Sequence, residues 1–158
     1  MEEIKIRLLT PDDKEKAEEF FRNLGEDGTN FFNRNNGNRD FLIEFLEGKH
    51  QDRIYWGAVV DTDRGEEIAG IVFLWDKDKK VTWLGIGITP DYKGKHLGRR
   101  LMNTASDWAK SSGAGGILLS TFTDNVRAQN LYEHLGYERI GYEHPGTADE
   151  GYLYILRF

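Results

Sequence analysis

The chain has 158 residues, 39% of them hydrophobic and 30% charged, which suits one soluble globular domain (1–158) and is too apolar for a disordered chain. With no cysteine, disulfides, thiolate nucleophiles and thiolate zinc sites are excluded. A net charge of −6 argues against general nucleic-acid binding and leans weakly toward a cationic partner such as an amine. The start, Met1 to Lys5, carries no apolar run and nothing approaches the length of a membrane span, so the expectation is a cytoplasmic protein with no membrane partner.

In chain order, Ile4-Lys5-Ile6-Arg7-Leu8 alternates with period two and predicts a strand. Thr10-Pro11-Asp12-Asp13 opens a helix whose apolar face is Ala17, Phe20, Phe21 and Leu24, ending at Gly25. Glu26 to Asn38, rich in Asn and Gly, reads as a connection, and a second helix runs from about Arg39 to Glu47. Three strands follow, Ile54–Asp61, Glu67–Trp75 and Lys80–Ile88, joined by polar turns as an antiparallel meander. Leu97, Leu101, Thr104, Ala105 and Trp108 recur at helical spacing, and Ile117–Thr121 is apolar enough for a strand buried on both faces. A helix from Asn125 to Leu135 and two closing strands, Tyr137–Tyr142 and Gly151–Phe158, complete the order β-α-α-β-β-β-α-β-α-β-β. The fold class is α/β (α+β): one mixed, mostly antiparallel sheet of about seven strands with about four helices packed on it. Tyr152 to Phe158 is a candidate for strand pairing between subunits of a homodimer.

The stretch from Trp83 to Leu101 concentrates chemistry. A strand meets a glycine-bearing turn and a helix start, where unpaired backbone N–H groups and the helix dipole favour an anion. Lys93, Lys95, Arg99 and Arg100 crowd that turn in an otherwise acidic chain, which suits a phosphate-bearing ligand. Neither the dinucleotide fingerprint nor the P-loop is present. His50, His96, His134 and His144 have no ligand spacing, so no metal is expected.

Two patterns, Tyr92-Lys93-Gly94-Lys95-His96-Leu97-Gly98-Arg99 and Asn125-x-x-Ala128-x-x-Leu131-Tyr132-x-x-Leu135-Gly136-Tyr137, together resemble the GCN5-related N-acetyltransferase (GNAT) superfamily. The resemblance implies an acetyl-CoA-dependent N-acetyltransferase acting on a small-molecule, polyamine or peptide amine. It implies that Lys93, Gly94, Lys95, His96, Leu97, Gly98 and Arg99 surround the pyrophosphate. Ile86, Gly87 and Ile88 would bind the pantetheine arm, with the Ile88 N–H facing the developing oxyanion. Asn125 and Ala128 would lie along the cofactor, and Tyr132 would protonate the leaving thiolate. The family's cradle pattern is altered, since Lys93 stands for Gln or Arg and His96 for a glycine. The positions where the family often carries a glutamate base hold Thr82 and Ser120, leaving ordered water or another carboxylate, such as Asp124, to take the proton. An alkylamine of pKa ~10.4 is neutral in only about one molecule in a thousand at pH 7, so a proton route is required. Without cysteine, transfer would be direct in a ternary complex. Two plainer readings stay open: Tyr132 as a core residue and Asn125 as a helix cap. A CoA-binding sensor without turnover is the alternative function.

Overall fold

The computed structural model describes residues 3–158. Seven strands form one sheet in the order β1-β2-β3-β4-β5-β7-β6, with β1 Ile4–Leu8, β2 Ile54–Thr62, β3 Gly65–Trp75, β4 Val81–Ile88, β5 Gly116–Phe122, β6 Glu138–Glu143 and β7 Gly151–Arg157. All neighbours are antiparallel except β4 and β5. A parallel neighbour demands a crossover, which the helix α4 (Leu97–Ser111) provides. The remaining helices are α1 Lys14–Arg22, α2 Gly25–Phe32, α3 Gly37–Leu46 and α5 Val126–His134.

The central strands are apolar on both sides because helices cover both faces of the sheet. Trp56, Val72, Leu74 and Leu84 pack with Leu97, Leu101, Met102 and Ala105 of α4. Tyr55, Ile71 and Phe73 pack on the other face with Phe20 and Phe21 of α1, Phe32 of α2 and Leu42 and Ile43 of α3. Alternation with period two along each strand sorts the side chains between these two cores.

The strands and four of the helices fall where periodicity places them. The difference lies at Glu26–Asn38, where the expected connection is α2 followed by a 3-10 turn at Arg34–Asn36. Gly25 separates α1 from α2 by a positive φ of 75°. Glycine, threonine and asparagine are poor helix formers, but burial of Phe32, stacked on Phe21 at 6.1 Å, outweighs their propensity. The asparagines turn the chain. Asn35 and Asn36 adopt left-handed φ values of 58°, which their short polar side chains tolerate. Asn33 Oδ1 accepts a hydrogen bond from the Arg39 N–H at 2.9 Å, and Asn38 Nδ2 donates to the Phe32 carbonyl.

One expectation is corrected by strand order. Tyr152–Phe158 falls on β7, which lies between β5 and β6 with both edges paired, so it has no edge to offer a second subunit. The free edges are β1 and β6.

Candidate active site

The sheet is forked. Parallel pairing of β4 with β5 covers only Val81–Gly116, Thr82–Ile117 and Trp83–Leu118, and beyond these pairs the strands diverge. Thr89 N–H bonds to the Ala69 carbonyl of β3 at 2.9 Å, and the Lys80 carbonyl accepts from Gly115 on the β5 side at 2.6 Å. Alternation between these fixed ends turns the N–H and C=O of Ile86 and Ile88 into the fork, and those of Gly87 toward β3. A cleft of about 840 Å³ occupies the fork.

Its walls explain three glycines. A Cβ on Gly85 would lie 2.5 Å from the Phe73 ring, and one on Gly87 2.5 Å from the Phe32 ring. Both glycines therefore let aromatic rings from the α1–α3 side close against β4. A Cβ on Gly98 would sit 3.0 Å from Leu131 and 3.5 Å from Ile88, so its absence brings the first turn of α4 against α5 and the fork.

That turn begins with a left-handed pair, Gly94 at φ 76° and His96 at φ 60°. Nothing lies within 4 Å of a Cβ placed on Gly94, leaving its backbone accessible to a ligand. Arg100 N–H is the first to bond back into the helix, to the His96 carbonyl at 3.3 Å. The N–H groups of Leu97, Gly98 and Arg99 precede the first intrahelical acceptor and make a helix end of the kind that suits an anion. Lys93, Gly94, His96, Leu97, Gly98 and Arg99 all line the cleft, as do Ile86, Gly87, Ile88, Asn125, Ala128 and Tyr132. Lys95 does not; its ammonium lies 5.1 Å from the centre of the Tyr92 ring.

On α5, Asn125 caps the helix, its Oδ1 accepting from the Ala128 N–H at 3.4 Å. The cap is held in turn by Gln129, whose Nε2 donates to the carbonyls of Phe122 and Thr123, both at 3.0 Å. Tyr132 is 6% exposed and belongs to the core while also lining the cleft. Burial, with Tyr137 and Tyr154 beside it, pushes its phenol above the usual tyrosine value, so it stays protonated.

The cleft lining also carries aromatic rings and two carboxylates, Glu143 and Asp149. Trp75 and Trp83 stack at 5.7 Å, and Phe31 meets Phe122 at 6.2 Å. Arg34 sits 4.1 Å over the Phe122 ring and pairs with Asp149 at 2.9 Å. Ser120 Oγ donates to Glu143 Oε1 at 2.6 Å, and both line the cleft. Neither Glu143 nor Asp149 is signalled by any local motif, because strand pairing across β5, β7 and β6 brings them in. Thr82, at the other position where the family often carries a glutamate, and Asp124, the carboxylate named from the sequence, stand apart from the Ser120–Glu143 pair. Thr82 is fully buried with its Oγ1 unpartnered, and Asp124 is exposed and outside the lining. Among the described residues no group of three His, Asp or Glu side chains is placed to hold a metal, and no helix is long and apolar enough to cross a membrane.

A strand with unpaired amides leading to a cationic helix start forms a cleft for an elongated ligand with an anionic end. The model of the Acetyltransferase (GNAT) family matches residues 18–137, and the chain belongs to that family. It is 31% identical over 109 residues to a streptothricin acetyltransferase of Streptomyces lavendulae, covering 66% of this chain and 57% of the relative. Its fold is similar to that of a ribosomal-protein-S5-alanine acetyltransferase from Vibrio fischeri (TM-score 0.81, 18% identity, 99% and 94% of the two chains). It is similar also to the PaiA N-acetyltransferase of Thermoplasma acidophilum, solved with coenzyme A (TM-score 0.77, 17% identity, 99% of each). The chain spans just over half the length of the streptothricin relative.

Proposed function

We propose that this chain transfers an acetyl group from acetyl-CoA directly to an amine. The observation that carries this reading is the fork, where the backbones of Ile86 and Ile88 face a cleft that ends at the unpaired amides of α4. The residues fit the cosubstrate. Gly94 and the N–H groups of Leu97, Gly98 and Arg99 offer a concave anion site, with Lys93 and Arg99 lending positive charge. Ile86 and Ile88 offer strand-like hydrogen bonds to the amide arm, and Asn125 and Ala128 line its path.

Acetyl-CoA supplies an activated acyl thioester. The Ile88 N–H is available to the carbonyl oxygen as charge develops on it. Tyr132, kept protonated by burial, gives its proton to the departing sulfur. The Glu143 carboxylate and the aromatic rings in the cleft lining suit a cationic amine, whether a streptothricin-type antibiotic, a polyamine or a peptide N-terminus.

Calorimetric titration with acetyl-CoA, beside dephospho-CoA and desulfo-CoA, tests the cosubstrate, and thiol release with those three kinds of amine tests transfer. Tyr132→Phe is expected to lower kcat about 100-fold with acetyl-CoA affinity unchanged. A variant that turns over as fast as the original chain removes Tyr132 from the chemistry, and micromolar acetyl-CoA binding without thiol release favours a sensor.

A further inference from the structure

We infer that Glu143, held by Ser120, receives the acceptor's ammonium group and takes its proton; this rests on the acetyl-transfer reading above. The carboxylates lining the cleft, among the described residues, are Glu143 and Asp149. Asp149 is committed to Arg34 at 2.9 Å, and its charge is thereby neutralised. No basic side chain among the described residues pairs with Glu143. Its one hydrogen bond is the 2.6 Å contact from Ser120 Oγ, a neutral donor that fixes Oε1 and leaves Oε2 available.

The sheet register accounts for this placement. Glu143 of β6 is opposite Gly151 of β7, which in turn is opposite Phe122 of β5. The Glu143 side chain reaches Ser120 Oγ across β7, which lies between their strands. A Cβ on Gly151 would meet the Thr121 carbonyl at 2.7 Å, so this glycine lets β7 lie close against β5. Trp75 and Trp83 line the same cleft as this carboxylate and suit an approaching cation.

The proton balance closes with these groups. The ammonium gives one proton to Glu143, and the neutral nitrogen attacks the thioester carbonyl carbon. The C–N bond forms and the C–S bond breaks. The second proton, released from nitrogen as the amide forms, reaches sulfur through the Tyr132 hydroxyl, and Glu143 returns its proton to solvent. Glu143 is thus a catalytic residue, and Ser120 a positioning residue.

The test uses the full chain loaded with CoA, titrated calorimetrically with benzylammonium, together with thiol release from acetyl-CoA for an amine that the original chain turns over. Glu143→Gln is expected to weaken benzylammonium binding about tenfold or more and to lower kcat about 100-fold. CoA affinity and melting temperature stay unchanged, and Glu143→Asp recovers part of the rate. Ser120→Ala lowers kcat by less, and Ser120→Thr, which keeps the hydroxyl, restores it. Equal benzylammonium affinity and equal kcat in Glu143→Gln overturn the inference while leaving acetyl transfer standing. Failure of the original chain to bind acetyl-CoA removes both.

Discussion

At His96 the backbone turns left-handed, φ 60°, where most side chains are disfavoured. Histidine is one of the residues found there more often than most, yet the conformation still costs energy relative to glycine. The turn thus takes a glycine-like dihedral without a glycine, and the helix start that follows it is formed. His96→Gly is therefore expected to raise stability by up to about 1 kcal/mol, read as a small upward shift in melting temperature. Acetyl-CoA affinity should hold or improve, since only backbone atoms are asked to meet the ligand. A lower melting temperature would mean that the imidazole makes a contribution of its own.

The elements differ in how plainly their residues announce them. β2, β3 and β4 are legible because long apolar runs between polar turns have few other solutions. α2 is not, because its own residues favour a loop and it is the packing of Phe32 on the distant rings of Phe20, Phe21 and Phe73 that makes its helix worthwhile. The site divides in the same way. Gly94 to Arg99 and the Asn125, Ala128, Tyr132 series are local in sequence and can be recognised by spacing. Ser120 and Glu143 are 23 residues apart on strands that do not pair with each other, so only the register of β7 between them reveals the pair. The contact of α2 with β4 also yields a prediction. Gly87→Ala places a methyl carbon 2.5 Å from the Phe32 ring, inside any real contact. Neither strand nor ring can yield cheaply, so the expected loss is about 2 kcal/mol, measured by denaturant unfolding. Phe32→Leu in the same chain should recover part of it.

Across the whole molecule, one ionic cluster ties the first strand to the helices and the meander. Arg7 of β1 meets Asp13 at 2.8 Å and Glu66 of β3 at 2.7 Å, and Asp13 also accepts from the Thr10 N–H at 2.8 Å. The Arg7 guanidinium holds the almost fully buried Asp13 carboxyl well below its ordinary value of 3.8, down to about 2. The folded state thus binds this proton more weakly than the unfolded chain. The stabilisation is complete above the ordinary carboxylate value and is lost as pH falls from about 4 to about 2, on the order of 2 kcal/mol in all. Melting temperature followed through that acid window should show the slope, and Asp13→Asn should lack it while being less stable at neutral pH. An unchanged slope in that variant would assign acid sensitivity to other carboxylates.

The three-pair seam between β4 and β5 has a mechanical meaning as well. Two half-sheets, β1 to β4 and β5-β7-β6, meet along that seam and at α4, and the rest of their facing edges is open. A ligand that bonds to Ile86 and Ile88 would add a missing rung to the ladder, so acetyl-CoA, on the proposed reading, would double as a splint between the halves. Its binding energy then appears as protein stability, about 2.7 kcal/mol at a hundredfold excess over the dissociation constant. Cellular supply of the acyl donor would in this way set the lifetime of the chain as well as its rate of turnover.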